Sequence, residues 1–287
     1  MNNINWFPGH MAKGRRIIEE KLKVVDLVIE LVDARIPHSS MNPLIAKLTA
    51  HKPRILIMSK VDLADPIVTK RWRAYYTAKG YGVVECNLNT FTQKDEIIKK
   101  AKESLHAKLA KEKAQGKKER AVRALVIGIP NVGKSTFINK MAQRNAAKVA
   151  NKAGVTKALQ WIKVNNDFEL LDTPGLLWPK LTNEQIAVNL ALTGAIKNDI
   201  LLKEDLVFYA LKFLNTNYQT AFYQKYHLAN MSNDTADIVA ALDKIGRDRG
   251  CLLKNQVVDY EVVYDIILKE IRNTSITRLS FDLELPQ

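Results

Sequence analysis

The chain has 287 residues, of which 47% are hydrophobic, which suffices for two domains with a sizeable core and excludes a disordered tail protein. It contains no run of 18 apolar residues, so we expect no membrane span, and its first residues lack the apolar stretch of a signal peptide. Two cysteines, Cys86 and Cys251, are too few for a disulfide framework or a zinc site, and together these features predict a cytoplasmic protein.

Positive charge is concentrated in the first two thirds of the chain. The net charge is +14, with 33 Lys and Arg against 16 Asp and Glu in residues 1–182, and 11 against 14 in residues 183–287. A basic excess of this size favours a polyanionic partner, because neutralising phosphates releases their counterions. A basic surface that only keeps the protein in solution is the alternative.

The apolar pattern predicts strands alternating with helices over the first 180 residues. It begins with an amphipathic helix over 8–23. The alternation favours a mostly parallel sheet of six strands, covered by helices on both faces. Strands are predicted over 24–32, 55–58, 82–87, 121–128, 159–164 and 168–171, and helices near 66–79, 94–115 and 134–142. Residues 94–123, with 11 Lys and Arg against 5 Asp and Glu, predict a helix followed by an exposed basic linker.

Beyond residue 180 the pattern changes to helices with little strand signal. Residues 183–272 predict four or five helices, and a loose tail is expected from Asn273. The expected domains are therefore an α/β domain over 1–180 and a small all-α domain over 181–287.

A glycine-rich loop follows the fourth predicted strand and opens a helix. Its sequence is Gly128-Ile129-Pro130-Asn131-Val132-Gly133-Lys134-Ser135, which has the spacing of a phosphate-binding loop. The N–H groups of such a loop, here from Val132, Gly133 and Thr136 among others, surround the phosphates at a helix N-terminus. Lys134 would reach the β- and γ-phosphates, and the Ser135 hydroxyl would bind Mg²⁺. A chance glycine loop is the alternative.

Two further positions complete the predicted phosphate and Mg²⁺ site. Asp172-Thr173-Pro174-Gly175 ends the strand predicted over 168–171. Asp172 would contact Mg²⁺ through water, and the Gly175 N–H would sense the γ-phosphate. Thr156 lies in a basic loop between the two motifs and is the expected second hydroxyl on Mg²⁺.

A guanine-reading motif, Ser59-Lys60-Val61-Asp62, follows the strand predicted over 55–58. The Asp62 carboxylate would accept from both N1–H and the 2-amino group of guanine, a donor pair that adenine lacks, and the Lys60 stem would pack along the base. Ser59 stands where most such motifs have Asn, and its single short hydroxyl predicts a weaker tether to the phosphate loop. Asn87 and Leu88 are expected beside the base. A surface Lys-x-Asp is the alternative.

The order of these motifs is itself informative. The guanine motif precedes the phosphate loop, whereas in ordinary GTPases the phosphate loop comes first. The same parts in rotated order predict a circularly permuted P-loop GTPase domain. In this order the sequence after Asp172–Gly175 leads directly into the helical domain, so the γ-phosphate switch is tethered to it.

These motifs, together with Trp6-Phe7-Pro8-Gly9-His10-Met11, Asp33-Ala34-Arg35-Ile36-Pro37 and Asn42-Pro43, resemble the YlqF/RbgA family of circularly permuted GTPases, called ribosome biogenesis GTPase A. The resemblance covers the whole chain and is strongest over 1–180. It implies a switch protein in late assembly of the large (50S) ribosomal subunit, whose GTPase activity that particle stimulates. The implied partners are GTP, GDP, the 50S subunit and its rRNA, and we expect a monomer.

Hydrolysis requires a group that orients the attacking water, and Leu176 stands where many GTPases have Gln. The resemblance makes His10 the proposed water-orienting residue. Asn131 matches the Asn that helps several such GTPases to hold K⁺ near the β- and γ-phosphates. The alternatives are a His10 that caps a helix, packs or touches rRNA, and an Asn131 that makes a structural hydrogen bond. We expect slow intrinsic turnover.

Two further groups of residues leave their roles open. Asp33-Ala34-Arg35 is either a contact to the particle, an ordering element near the switches, or a salt-bridged loop. Lys244, Arg247 and Arg249 are candidate RNA phosphate contacts, and a solvated helix face is the alternative. A GTP-dependent RNA-binding regulatory module with negligible turnover is the competing function, and Asp62 argues against an ATPase or a kinase.

Overall fold

The computed structural model describes residues 4–5, 16, 18–143, 160–173, 180–181, 183–196 and 201–286. The predicted site residues His10, Thr156 and Gly175, the motif at 6–11 and Leu176 lie outside these residues. The chain divides into two compact units, Met1–Ala187 with Ser280–Gln287, and Val188–Leu279. Relative to the predicted domains 1–180 and 181–287, residues 181–187 and 280–287 therefore belong to the first unit.

A six-stranded sheet forms the centre of the first unit. The described strands are β1 Ile4–Asn5, β2 Leu27–Asp33, β3 Arg54–Ser59, β4 Gly82–Cys86, β5 Val122–Gly128, β6 Gln160–Asn165, β7 Phe168–Asp172 and β8 Lys180–Leu181. The order in the six-stranded sheet is β4-β3-β2-β5-β7-β6, in which β6 runs antiparallel to β7 and the other neighbours are parallel. This confirms the predicted mostly parallel sheet. Strands β1 and β8 form a separate antiparallel pair.

Strand β2 is buried along its whole length, because it is central in the sheet and helices cover both faces. The strand predicted from residue 24 begins only at Leu27, because the N–H of Val24 still donates to the carbonyl of Lys21 in the turn that follows the preceding helix. The side chain of Asp26, just before the strand, forms ion pairs with Lys108 and Arg120. Glu30 in the middle of β2 is also buried and forms an ion pair with Arg54 on β3. Buried charges require such partners, because removing an unpaired charge from water is unfavourable.

Helices pack against this sheet in the connections between strands. In the first unit they are α1 Pro43–Leu48, α2 Pro66–Ala78, α3 Lys94–Ser104, α4 His106–Ala114 and α5 Lys134–Ala142, and α6 Glu184–Leu192 crosses into the second unit. Asn42 and Asp65 cap α1 and α2 by accepting from N–H groups of their first turns. Residues 18–22 are helical as well, within the helix predicted over 8–23.

The single helix predicted over 94–115 is wrong in one respect. The helix is interrupted at Leu105, whose side chain is buried, and this one residue separates α3 from α4. The predicted basic linker after α4 is exposed over 113–120, yet Arg120 at its end is fastened to Asp26 at 2.7 Å.

The second unit is helical in its described part, as predicted. Its helices are α7 Lys203–Asn217, α8 Gln219–Tyr226, α9 Thr235–Asp248 and α10 Tyr260–Arg272. Asp234 and Asp259 cap α9 and α10. The β-rich sequence near Val258 contributes one isolated bridge to Leu252. Across the described residues of both units, no helix has the length and apolar character needed to cross a membrane.

The loose tail predicted from Asn273 is wrong over residues 280–286. This segment lies on the first unit, where the indole N–H of Trp72 donates to the carbonyl of Asp282 at 2.7 Å and the N–H of Phe281 donates to the carbonyl of Arg35 at 2.8 Å. Phe281 is buried by this contact. The sequence of this segment has no helical or strand periodicity, because an extended segment can be held by a few separate contacts.

Candidate functional site

The loop 128–135, which we call the phosphate loop, leaves the buried strand β5 and enters helix α5. Its backbone takes positive φ at Asn131 (58°) and at Gly133 (103°), which precedes the first residue of α5. A side chain at Gly133 would also collide with its surroundings, because an added Cβ would lie 2.5 Å from Cδ1 of Leu88. The turn therefore requires glycine, and the tip of the flexible Leu88 side chain would have to move aside for any larger residue.

Lys134 lies folded back against the phosphate loop. Its ammonium donates to the carbonyls of Gly128 at 3.1 Å and Ile129 at 2.8 Å, and the residue is 7% exposed. Burial lowers the pKa of Lys134 to about 8, against the opposing effect of Asp172. Ser135 and Thr136 follow half-buried in the first turn of α5. A cation and the N-terminus of a helix thus meet at one point, an arrangement that attracts anions.

Asp172 at the end of β7 contributes a carboxylate to the same region. Thr173 fixes the end of the strand, since its hydroxyl donates to the carbonyl of Val126 on β5 at 2.6 Å. Asp172 is 4% exposed, and its Oδ1 has no hydrogen-bond partner among the described residues. Burial raises the pKa of Asp172, and Lys134 opposes that shift. An oxygen that is buried and lacks a partner fits a residue that binds Mg²⁺ directly or through water.

The carboxylate of Asp172 is not part of a larger cluster of metal-binding side chains. Groups of three or more His, Cys, Asp and Glu able to hold a metal are absent from the part of the chain that the structure describes. The predicted Mg²⁺ ligands among the described residues are then the Asp172 carboxylate and the Ser135 hydroxyl, which directly follows Lys134. Such a sparse set is typical of Mg²⁺ held largely by phosphates and water.

The guanine motif, residues 59–62, is joined to the phosphate loop by Ser59. Its hydroxyl donates to the carbonyl of Val132 at 2.8 Å and lies 3.0 Å from the carbonyl of Val32. Ser59 is fully buried at the end of β3. Strand β3 thus brings the hydroxyl within ordinary hydrogen-bond distance of the phosphate loop, and the weaker tether expected of serine relative to asparagine stays a prediction.

Lys60, the next residue of the guanine motif, is bound by the sequence Asp33-Ala34-Arg35. Its ammonium lies 2.9 Å from Oδ2 of Asp33, and the same carboxylate accepts from Arg35 at 2.9 Å and 2.7 Å. Burial alone would raise the pKa of Asp33, but Arg35 and Lys60 outweigh it and hold the pKa below its usual range. The structure thus has the salt-bridged loop that was one of the three alternatives, and it lies beside the guanine motif.

Asp62 is half-buried and has one neighbour that the sequence patterns did not predict. The side-chain amide of Asn89 donates to Oδ2 of Asp62 at 3.3 Å, and the N–H of Asn89 donates to Oδ1 of Asn87 at 2.9 Å. Asn89 directly follows the predicted pair Asn87-Leu88, so its position in the chain was the available signal. Leu88 itself lies at the phosphate loop, next to Gly133.

The candidate RNA contacts in the second unit are mostly engaged in ion pairs. Lys244 lies 2.8 Å from Asp248 one turn along α9, and Arg249 lies 3.0 Å from Glu270 on α10. Arg247 is exposed. Lys244 and Arg249 thus each have a carboxylate partner within the second unit.

Comparison with known proteins gives relatives over nearly the whole chain. The family model described as "50S ribosome-binding GTPase" matches residues 123–244, beginning at the strand before the phosphate loop, with the guanine motif lying upstream. The protein "Ribosome biogenesis GTPase A" of Priestia megaterium is 48% identical over 280 residues, covering 97% of this chain and 96% of the relative.

Solved structures are similar in fold as well. A GDP-bound structure of YlqF superposes with a TM-score of 0.66 at 25% identity, covering 94% of this chain and 99% of that chain. A GNP-bound structure of YlqF from T. maritima gives a TM-score of 0.64 at 25% identity, covering 94% and 97%.

Proposed function

Because the chain belongs to the ribosome biogenesis GTPase A family, we propose that it binds and hydrolyses GTP as a switch in late assembly of the large (50S) ribosomal subunit. The observation that carries this proposal is the 2.8 Å hydrogen bond from Ser59 to Val132. It joins a guanine-reading motif to a phosphate loop, as one nucleotide spanning both would require. The reversed order of the two motifs in the chain supports a circularly permuted GTPase domain.

The nucleotide would lie along the carboxyl ends of the parallel strands. Asp62 would accept from the guanine edge, with Lys60 along the base and Asn87 and Leu88 beside it. The N–H groups of Val132, Gly133 and Thr136 would surround the phosphates. Lys134 would turn from the carbonyls of its own loop to the β- and γ-phosphates, which replace those neutral acceptors with a charged one.

Ser135 and Asp172 would hold Mg²⁺, with Thr156 as the second hydroxyl and the Gly175 N–H on the γ-phosphate. Bound Mg²⁺ supplies charge that offsets the negative phosphates. His10 would orient the attacking water, which the apolar Leu176 cannot do. Asn131, exposed at the tip of the phosphate loop, would help to hold K⁺.

The expected partner is the 50S subunit with its rRNA, and the protein would act in the cytoplasm as a monomer. The basic excess of residues 1–182 supports the GTPase unit as the main contact with rRNA. In the second unit, Arg247 remains the best placed of the three candidate phosphate contacts, because Lys244 and Arg249 pair with carboxylates.

GTP hydrolysis in K⁺ buffer, with and without purified 50S subunits, tests this proposal. We expect slow turnover alone and strong stimulation by the particle. Lys134→Ala is the control for hydrolysis by contaminating enzymes, because it removes the side chain expected to bind the phosphates and does not change the second unit. Binding of GTP without stimulation would contradict the assembly GTPase and favour a GTP-dependent RNA-binding module with negligible turnover. Competition by ATP as effective as by GTP would contradict the role of Asp62.

A further inference from the structure

The C-terminal strap, which we define as residues 280–286, is anchored by one carboxylate to the loop over residues 33–40. Asp282 accepts from the N–H groups of His38 at 2.8 Å and Ser39 at 2.7 Å, and from the Ser39 hydroxyl at 2.6 Å. Ser39 and Asp282 are 243 positions apart in the sequence. Three donors to one carboxylate fix its position closely, since charge-assisted hydrogen bonds are short and strong.

A second contact extends the strap along the same loop. The N–H of Phe281 donates to the carbonyl of Arg35 at 2.8 Å, and Phe281 itself is buried. The strap thus holds the 33–40 loop at Arg35 and again at His38 and Ser39.

The loop in turn holds the carboxylate of Asp33. The Asp33 N–H donates to the Ser40 hydroxyl at 3.0 Å, and that hydroxyl donates to the carbonyl of Ile36 at 2.7 Å, which closes the loop. Arg35 reaches back to both carboxylate oxygens of Asp33. Asp33 and Arg35 are each 1% exposed, so neither has room for another orientation.

Lys60 is the point where this network reaches the guanine motif. Its backbone has a positive φ of 59°, so it lies outside the regular strand geometry of β3. Its ammonium is 2.9 Å from Asp33 and its side chain is 24% exposed. A flexible lysine stem needs a fixed partner at its end to keep one direction.

We propose that the C-terminal strap positions Lys60 through the 33–40 loop and Asp33, so that guanine-nucleotide affinity depends on the end of the chain. Asp33 and Asp282 are then positioning residues for nucleotide binding. The inference rests on the proposed function, because it takes Lys60 as the residue that packs along the base. The strap directly follows Leu279, the last residue of the second unit, and so returns the chain from that unit to the nucleotide site.

A purely structural strap makes a different prediction. The strap also covers Trp72 in a hydrophobic cluster of the first unit, and Leu283 packs against that cluster. If it only stabilised this cluster, removing an anchor would lower the stability of the unit without acting through Lys60.

A double-mutant cycle separates the two roles. The affinity for fluorescent mant-GDP in Mg²⁺ buffer is measured for the wild-type chain, Asp282→Ala, Lys60→Met and the double variant. Lys60→Met keeps the stem that lies along the base and removes only the ammonium that Asp33 binds. We expect Asp282→Ala to raise Kd about three- to tenfold, within the range seen for residues that share one network. In the Lys60→Met background the same change should have no further effect.

Arg71→Ala is the matched control for the strap. Arg71 donates to the carbonyl of Leu283 at 3.0 Å on the exposed side of the strap, a contact that does not include the Asp282 carboxylate. Its loss should leave Kd unchanged. An unchanged Kd in Asp282→Ala, or the same fold increase in both Lys60 backgrounds, would overturn the proposal.

Ser39→Ala provides a milder second variant should Asp282→Ala fail to fold, as judged by circular dichroism and thermal unfolding. It removes one of the three donors to Asp282 and leaves the two backbone donors. It should raise Kd less than Asp282→Ala and again only when Lys60 is present; equal effects in both backgrounds would contradict the proposal. A wild-type chain that does not bind mant-GDP would instead contradict the proposed function.

Discussion

The hydroxyl of Ser59 donates to the carbonyl of Val132 at 2.8 Å across 73 residues of sequence. Ser59 is the last residue of β3 and Val132 lies in the loop after β5, and these two strands are separated in the sheet by β2. A chain that presents the guanine motif first and the phosphate loop second therefore brings the two together as closely as the reverse order would. What the permutation changes is the chain that follows Asp172, which here leads into the helical unit.

Removing the Ser59 hydroxyl should weaken nucleotide binding. Ser59→Ala leaves the buried carbonyl of Val132 without this donor, so we expect a loss of about 0.5–1.5 kcal/mol in the binding free energy of GDP, or about a two- to tenfold rise in Kd. Titration with mant-GDP measures this. Ser104→Ala is the control, because its hydroxyl also donates to a carbonyl, that of Ala101, but on helix α3 away from the site. An equal effect in both variants would contradict the tether.

Gly133→Ala should abolish tight nucleotide binding. The added Cβ meets Cδ1 of Leu88 at 2.5 Å and the backbone has φ of 103°, so both sterics and conformation oppose it. We expect a decrease of about 1–2 kcal/mol in the free energy of unfolding from strain at positive φ, with a smaller contribution from displacing the end of the Leu88 side chain. Urea denaturation and mant-GDP titration measure the two losses.

Gly116→Ala separates the two causes of that loss. Gly116 has a positive φ of 67°, but an added Cβ would have nothing within 4 Å. Its alanine variant should lose only about 1 kcal/mol of stability and keep its GDP affinity. Leu88→Ala combined with Gly133→Ala should recover part of the stability. No recovery would show that the backbone alone forbids a side chain at Gly133.

The sequence predicted the parts of this fold whose signals are local. Apolar runs indicated the six strands, and glycine spacing indicated the phosphate loop, because both depend on neighbours within a few residues. Pairings between distant residues left no comparable signal. The contact of Asn89 with Asp62, the anchoring of Asp282 at Ser39 and the ion pair of Lys60 with Asp33 arise only once the sheet has formed. The break at Leu105 was also hidden, since a helical period continues through it.

Asn131 offers a test of K⁺ in the reaction. Its positive φ of 58° suits Asn or Gly, so Asn131→Gly removes the side-chain amide without straining the loop. If the amide helps to hold K⁺, hydrolysis by the wild-type chain with 50S subunits should be faster in K⁺ than in Na⁺, and the Gly variant should lose most of that difference. Rates of phosphate release in the two buffers measure this. A K⁺ to Na⁺ ratio unchanged by the substitution would contradict the role of Asn131.

Asp26 binds basic residues of the segment 108–123, which precedes the phosphate loop. Replacing its carboxylate should change how the stability of the protein depends on pH. Its side chain is 3% exposed and accepts from Lys108, from Arg120 at 2.7 Å and from the N–H of Arg123 at 2.9 Å. Burial alone would raise the pKa of Asp26, but these donors outweigh it and hold the pKa well below its usual range. The carboxylate therefore stabilises the folded chain at neutral pH.

Asp26→Asn should lower the free energy of unfolding by about 1.5–3 kcal/mol at pH 7, the range for hydrogen bonds to a charged group. Because the folded pKa lies below the unfolded value of about 3.9, this contribution is complete above that pH and is lost as the pH falls through the folded pKa. The difference between wild type and variant should thus be constant between about pH 5 and 7 and shrink below about pH 4. Urea denaturation across this range measures it, with Asp167→Asn as the control, since the Asp167 carboxylate is exposed and lies 3.4 Å from the Lys102 ammonium. A difference that did not change with pH would mean that Asp26 acts through packing and not through its charge.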